Sequence, residues 1–215
     1  FGGCPSPWVI NEIHADPAGD LTGDANGDGT RDSGDDEFVE IVNNTGNDAD
    51  ISGWTLADGF SVRHTFPPGS LVYDGCSVVV FGGDTPTGDF GNSLVQTASG
   101  GSLGLNNSGD DVTLNNGLSD VSTASYGGAG GDNQSLTLDP DVEGLPPYAK
   151  HSLATGSGGA LFSPGTRLDG APFDGCPVVA FVHDIQGSGE SSPLEGQPVI
   201  ASGVVTALAT DGFFI

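Results

Sequence analysis

Positive charge and methionine are what this sequence lacks. Lysine and arginine number four against 29 aspartates and glutamates, a formal net charge of −25 over 215 residues, and there is no methionine. Four cations cannot neutralise many phosphates, so direct nucleic-acid binding by this module is not expected. No apolar run approaches the roughly 20 residues that span a bilayer, so no membrane span is expected. No secretory leader is visible, and the opening at Phe1 reads as a mature or trimmed protein. Helical periodicity is missing from every long stretch. The cysteines, Cys4, Cys76 and Cys176, lie far apart without a CxxC pair. The histidines, His14, His64, His151 and His183, form no H-E-x-x-H spacing, and each reads as structural. Together these absences exclude a zinc site. One disulfide and one leftover thiol are expected of an exported chain, and spacing does not choose among the three pairings.

What is present is turn chemistry and short apolar runs. Glycine (37) and proline (14) make up about a quarter of the chain. Such a composition reads as an all-β domain with many turns. The surplus of acid keeps a protein soluble in strong salt and attracts divalent cations, which suits a secreted protein from a salty habitat.

Strands are expected at "WVINEI" (8–13), "EFVEIVN" (37–43), "ISGWTLADG" (51–59, with Trp54 as a core anchor), "SVRHTFPPG" (61–69) and "CSVVVFGG" (76–83, a central strand). Shorter ones follow at "SLVQTA", "GSLGL", "DDVTLNNG", "VSTASYG" and "QSLTLDP" (134–140). "NNTGNDAD" (43–50) is a turn, and "GGAGGD" (127–132) precedes no helical segment and reads as a flexible hairpin rather than a phosphate loop. Residues 141–175 are loop-rich and read as a domain edge and linker. A second strand series is expected over 178–215, ending at "GFFI" without a partner strand, so the natural protein is expected to continue.

Seven acidic side chains crowd "GDANGDGTRDSGDDEFVE" (23–40), immediately before an apolar strand. Asp24, Asn26 and Asp28 alternate, Gly29 follows, and Thr30, Asp32 and Asp35 complete a D-x-N-x-D-G-x-x-x-x-x-D spacing. Calcium takes six to eight oxygens at about 2.3–2.6 Å. Loop positions one, three and five converge on one point, glycine at six makes the sharp turn, Thr30 offers its carbonyl, Asp32 acts through water, and Asp35 closes the shell in place of the usual glutamate. Asp36 is a one-residue register alternative. The competing reading is a solvated, salt-adapted turn. No amphipathic helices flank the loop, so it bridges two strands and clamps them rather than acting as a helical switch. Asp16 and Asp20 read as turn caps in preference to a second ion site, and "DPDVEG" (139–144) reads as an ordinary acidic loop. Ser125 and Ser163 lack a G-x-S-x-G elbow. His183 and Asp184, read as strand neighbours, face opposite ways. No catalytic constellation emerges.

"VINEIHAD", "DEFVEIVNNTGNDADISGWTLADG" and "FPPGSLVYDGCSVVVFGG" resemble the lamin tail domain, over roughly residues 7–173. The resemblance implies an immunoglobulin-like β-sandwich of lamin tail type occupying 1–173, with the calcium loop inserted at 24–35. That insertion departs from the nuclear lamin pattern and is similar to "DANGDG" insertions of bacterial members. "SPGTRLDG" (163–170) is similar to their Pro-Gly close. The tail "VHDIQGSGESSPLEGQPVIASGVVTALATDGFFI" resembles the start of the OB-like domain of secreted bacterial nucleases. Residues 174–215 are then a linker and the first strands of a truncated, OB-like segment, and a downstream endonuclease/exonuclease/phosphatase domain is implied. Two roles are compatible with this. One is a non-catalytic, calcium-stabilised module of a secreted nuclease that positions domains or attaches to a surface or ligand. The other is a structural or adhesive cell-surface protein without nuclease activity. Either places it outside the cell.

Overall fold

The structure, a computed structural model, describes residues 7–201 and the backbone of 207–209 and 212–214. The chain forms two compact units, Phe1–Cys176 and Pro177–Ile215. The strands of the first are β1 (Trp8–His14), β2 (Phe38–Asn43), β3 (Ala49–Asp50), β4 (Thr55–Ala57), β5 (Val62–Thr65), β6 (Leu71–Val72), β7 (Ser77–Phe81), β8 (Leu94–Thr97), β9 (Asp110–Asn115), β10 (Asp120–Tyr126), β11 (Leu136–Thr137) and β12 (Ala149–Lys150). The second holds β13 (Val178–Val179), helix α1 (Val182–Gln186), β14 (Val199–Ile200), β15 (Ala207–Ala209) and β16 (Gly212–Phe214).

Six strands form one sheet in the order β12-β11-β1-β2-β7-β8, and four form another in the order β10-β9-β4-β5. β3 and β6 make a small ribbon. Pairing in the first unit is antiparallel except for β7 with β8. The alternation in β1, β2 and β7 sends Ile10, Ile13, Val39, Ile41, Val78 and Val80 into a core shared with Leu56, Val112, Leu114 and Tyr126 of the smaller sheet. Trp8 and Trp54 meet edge to face at 5.1 Å between ring centroids.

β1, β2 and β7 are buried along their whole length. An antiparallel sheet commonly wets one face and buries the other; here the larger sheet is covered on both. Its second face carries Val9 and Val42 packed on Leu138 and Phe173, and Phe38, Val79 and Phe81 packed on Ala25, Phe90 and Phe162. The cover is made of two irregular segments, the acidic connection between β1 and β2 and the run 151–176, here called the strap. Cys176, at the end of the strap, is disulfide-bonded to Cys76 just before β7. Cys4 lies outside the described residues.

Several local expectations need correction. Residues 141–175 are not a linker: they contribute β12 and the strap, with Leu168 and Phe173 buried. "GSLGL" carries no strand, though Leu103 and Leu105 are buried in the shared core. "GGAGGD" holds a 3-10 turn, Gly128–Gly131, on the way from β10 to β11. "VHDIQ" is a short helix, not a strand, so the opposite-facing argument for His183 and Asp184 does not apply; their exposed side chains approach to 3.1 Å.

Candidate metal centre

The acidic connection is held by its own backbone. Asp24 Oδ2 accepts from Gly29 N (2.9 Å), Asn26 Oδ1 from Asp28 N (3.0 Å), and Asp28 Oδ1 from Thr30 N (2.7 Å). Asp32 Oδ1 accepts from Gly34 N (2.8 Å) and Asp35 N (3.2 Å). Short acidic side chains favour such bonds to amides two or three residues on. Gly29 takes φ +89, a conformation that a Cβ would strain. Arg31, the loop's one cation, donates to the carbonyls of Ala18 and Pro17.

Asp36 is fully buried and brackets the loop. Its Oδ1 accepts from Ala25 N (2.9 Å) and Asn26 N (3.1 Å), and its Oδ2 from Asp32 N (2.7 Å). Asp35 stays partly exposed. Burial, then the carboxylates of Asp32, Asp84 and Asp28, push its acid above the usual range. Asp84 belongs to the turn after β7, which docks on the loop: Thr87 N and Gly88 N donate to Asn26 O, and Thr87 Oγ1 to Gly27 O. At Gly83 a Cβ would stand 2.0 Å from Asp35 Oδ1, so the approach admits no side chain.

The loop therefore gathers oxygen donors, the chemistry calcium takes. Asp24 Oδ1 is buried with no hydrogen-bond partner, a costly state for a carboxylate oxygen unless something else satisfies it. The carboxylates do not converge in a closed shell, however. Among the described residues no group of three or more acidic, histidine or cysteine side chains stands in metal-holding geometry. Asp20 caps the turn at 21–23 through Thr22 N (3.0 Å), and Asp16 bridges Asn107 Nδ2 (2.6 Å) and Asn133 N (3.2 Å).

A second acidic set was hidden in the strands. Glu12 of β1 and Glu40 of β2 are cross-strand partners, next to a bulge at Asn11, and both are fully buried beneath the strap. Asn11 Nδ2 donates to Glu40 Oε1 (2.9 Å) and to Asp141 Oδ1 (3.1 Å). The strap donates to each acid in turn. Ser163 N and Oγ reach Glu12 (3.0 and 2.9 Å), Gly165 N reaches Glu40 Oε2 (2.7 Å), and Leu168 N reaches Asp141 Oδ2 (2.8 Å). "SPGTRLDG" is thus the segment that satisfies the buried row, and "DPDVEG" supplies its third acid. Burial raises the pKa of all three; for Glu40 the adjoining Glu12 adds to it, while His151 opposes the shift at Glu12.

The remaining polar candidates are held by packing or hydrogen bonds, though both ring nitrogens of His14 are buried without a hydrogen-bond partner. His14 lies between Phe38 and Phe162, and burial takes its pKa down to about 3. His64 accepts from Ser99 N at Nδ1 (3.2 Å) and so donates from Nε2 to Gln96 Oε1 (2.7 Å). Ser125 donates to Asp111 Oδ1 on the outside of the smaller sheet. Ser163 and His151, separate in the reading of the sequence, are brought to 2.8 Å. The signal for the row was the presence of Glu12 and Glu40 inside otherwise apolar strands.

No curated protein matches the chain. No helix among the described residues is long and apolar enough to cross a membrane. The family model described as Lamin Tail Domain matches residues 5–128, more than half of the chain. That span ends just after β10, whereas β11, β12 and the strap complete the larger sheet beyond it. The all-β sandwich with its two-sheet core fits that assignment, and the chain belongs to the lamin tail domain family.

Proposed function

We propose that this lamin tail module is non-catalytic and calcium-stabilised. It belongs to a larger secreted nuclease, in which it positions the domains that follow or attaches the protein to a surface or ligand. Asp24, Asn26, Asp28, Thr30, Asp32 and Asp35 are the proposed donors. Asp36, with both oxygens engaged by amides, holds the loop in shape. The observation that carries the metal reading is Asp24: one oxygen bonds the amide of the loop's sixth residue, and the other is buried without a partner. The cluster of Asp28, Asp32, Asp35 and Asp84 that raises the Asp35 acid supports it, since a divalent cation relieves such repulsion. Calcium would fasten the β1–β2 connection over Phe38 and Phe81 on the second face of the larger sheet. The disulfide supports an oxidising compartment outside the cytosol. The nuclease part of the reading rests on the likeness of residues 182–215 to the start of an OB-like domain.

Ligand bound only by the folded state raises its stability by mass action. Melting the chain in calcium and in chelator should show a clear upward shift in calcium, absent from Asp28→Ala. An Asp28→Ala loss of equal size in both conditions would sink the metal assignment.

A further inference from the structure

His151, Ser163 and Glu12 form a chain of contacts whose hydrogens can be counted. His151 Nδ1 lies 2.8 Å from Ala160 O, and a carbonyl only accepts, so Nδ1 carries a hydrogen. His151 Nε2 lies 2.8 Å from Ser163 Oγ, and Ser163 Oγ lies 2.9 Å from Glu12 Oε2. Both are hydrogen-bond distances, yet the serine has a single hydroxyl hydrogen. The second bond needs one more proton, either on Nε2, donated to Ser163 Oγ, or on Glu12, donated to the same oxygen. The other Glu12 oxygen is engaged by Ser135 Oγ (2.5 Å) and Ser163 N (3.0 Å). His151 and Glu12 are fully buried, and solvent has little access to Ser163.

We propose that the strap is latched by one retained proton in the His151–Ser163–Glu12 chain, and that rising pH unlatches it. Removing that proton leaves the carboxylate beside a neutral imidazole with one bond too few, and a buried unpaired charge is expensive. The strap then lifts from the second face of the larger sheet while the Cys76–Cys176 bond keeps its end attached. The other groups around the latch do not supply the proton's function. His14 on β1 is held neutral between its aromatic neighbours. Glu40 on β2 and Asp141 before β12 are acids with their own strap amides. Lys150 on β12 is paired with Asp132, and Arg167 on the strap with Asp174.

The sign follows from counting protons in each state. In water an ordinary glutamate side chain holds its proton below about pH 4.3 and an ordinary imidazole below about 6.5. Between those values this chain holds one proton whether open or latched, so it adds no pH dependence of its own; any slope there belongs to Glu40 and Asp141, whose strap amides are lost on opening. Above about 6.5 the open state holds none, so opening releases a proton and the latch loses about tenfold in protection per pH unit.

Hydrogen exchange of the full chain from pH 5.5 to 8.5, corrected for the intrinsic rate, tests this. Protection of peptides covering 160–170 should fall more steeply above about pH 6.5 than below it, by about a further tenfold per unit, while β7 and β9 hold steady. Glu12→Gln supplies the missing hydrogen as an amide donor that does not titrate, so it should keep the strap protected and abolish the added fall above about pH 6.5. Level protection of the wild-type strap across the whole range would overturn the proposal. So would an undiminished slope in Glu12→Gln, which would assign the titration to Glu40 or Asp141. If Glu12→Gln fails to fold, Glu40→Gln and Asp141→Asn decide: the slope above about pH 6.5 should survive in both, and its loss in either would overturn the proposal.

Discussion

The loop at 24–36 and the row of Glu12, Glu40 and Asp141 are both acidic, and both lie against the same face of the larger sheet. They differ in what satisfies them. The carboxylates of Asp24, Asp28 and Asp32 bond to amides two to five residues further on, remain within reach of water, and leave one oxygen of Asp24 unsatisfied. In the row Glu12 and Glu40 are sealed and Asp141 is half-buried, and the strap donors of Glu12 and Glu40 come from more than 120 residues away. A local acidic cluster can be relieved by an ion that the protein recruits. A buried one must be relieved by the fold itself, so removing one partner costs more.

The sharpest way to break the row is Glu12→Ala. It strands the buried Ser135 and Ser163 donors, and should lower unfolding free energy by about 4 kcal/mol in a denaturant titration. Cys176→Ser detaches the strap's end. It removes a cross-link between residues 100 apart and should cost about 3 kcal/mol under oxidising conditions, with no further loss on adding reductant.

Glu37 extends the comparison to the other end of β2. It is buried, accepts from Leu105 N (3.2 Å), and burial raises its pKa to about 7. The folded state therefore favours its protonated form. The stability this gives is complete below pH 4.5 and is lost as pH rises from 4.5 to 7. Glu37→Gln should remove about 2 kcal/mol of wild-type stability loss over that window, measured by melts at pH 4.5 and 7.5. Ser125→Ala is the mild counterpart: the same serine–carboxylate chemistry as Ser163 with Glu12, but exposed to water. It should change stability by no more than about 0.5 kcal/mol, and a loss as large as that of Ser163→Ala would erase the distinction between the two regions.

The strands that position these sites were legible where apolar residues alternate. β2, β7 and β9 fall within the stretches expected from the sequence, β1 and β10 overrun theirs by one residue, and the acidic insertion sits between β1 and β2. The strap was not legible. Its anchoring is by backbone amides of Ser163, Gly165 and Leu168, which no side-chain pattern announces, and its glycines and prolines imitate a linker. The burial of Glu12 and Glu40 was not legible either, because sequence alone does not say that a second layer covers that face. "VHDIQ" looked like a strand because five residues are too few for helical periodicity to appear.

Equilibrium dialysis of the full chain against labelled calcium tests the central claim most directly. The account predicts saturable uptake approaching one ion per chain, lost in Asp24→Ala and retained in Glu12→Gln. Uptake that rises without saturation, and that Asp24→Ala leaves unchanged, would mean that the loop is only a dense patch of surface charge, and would contradict it.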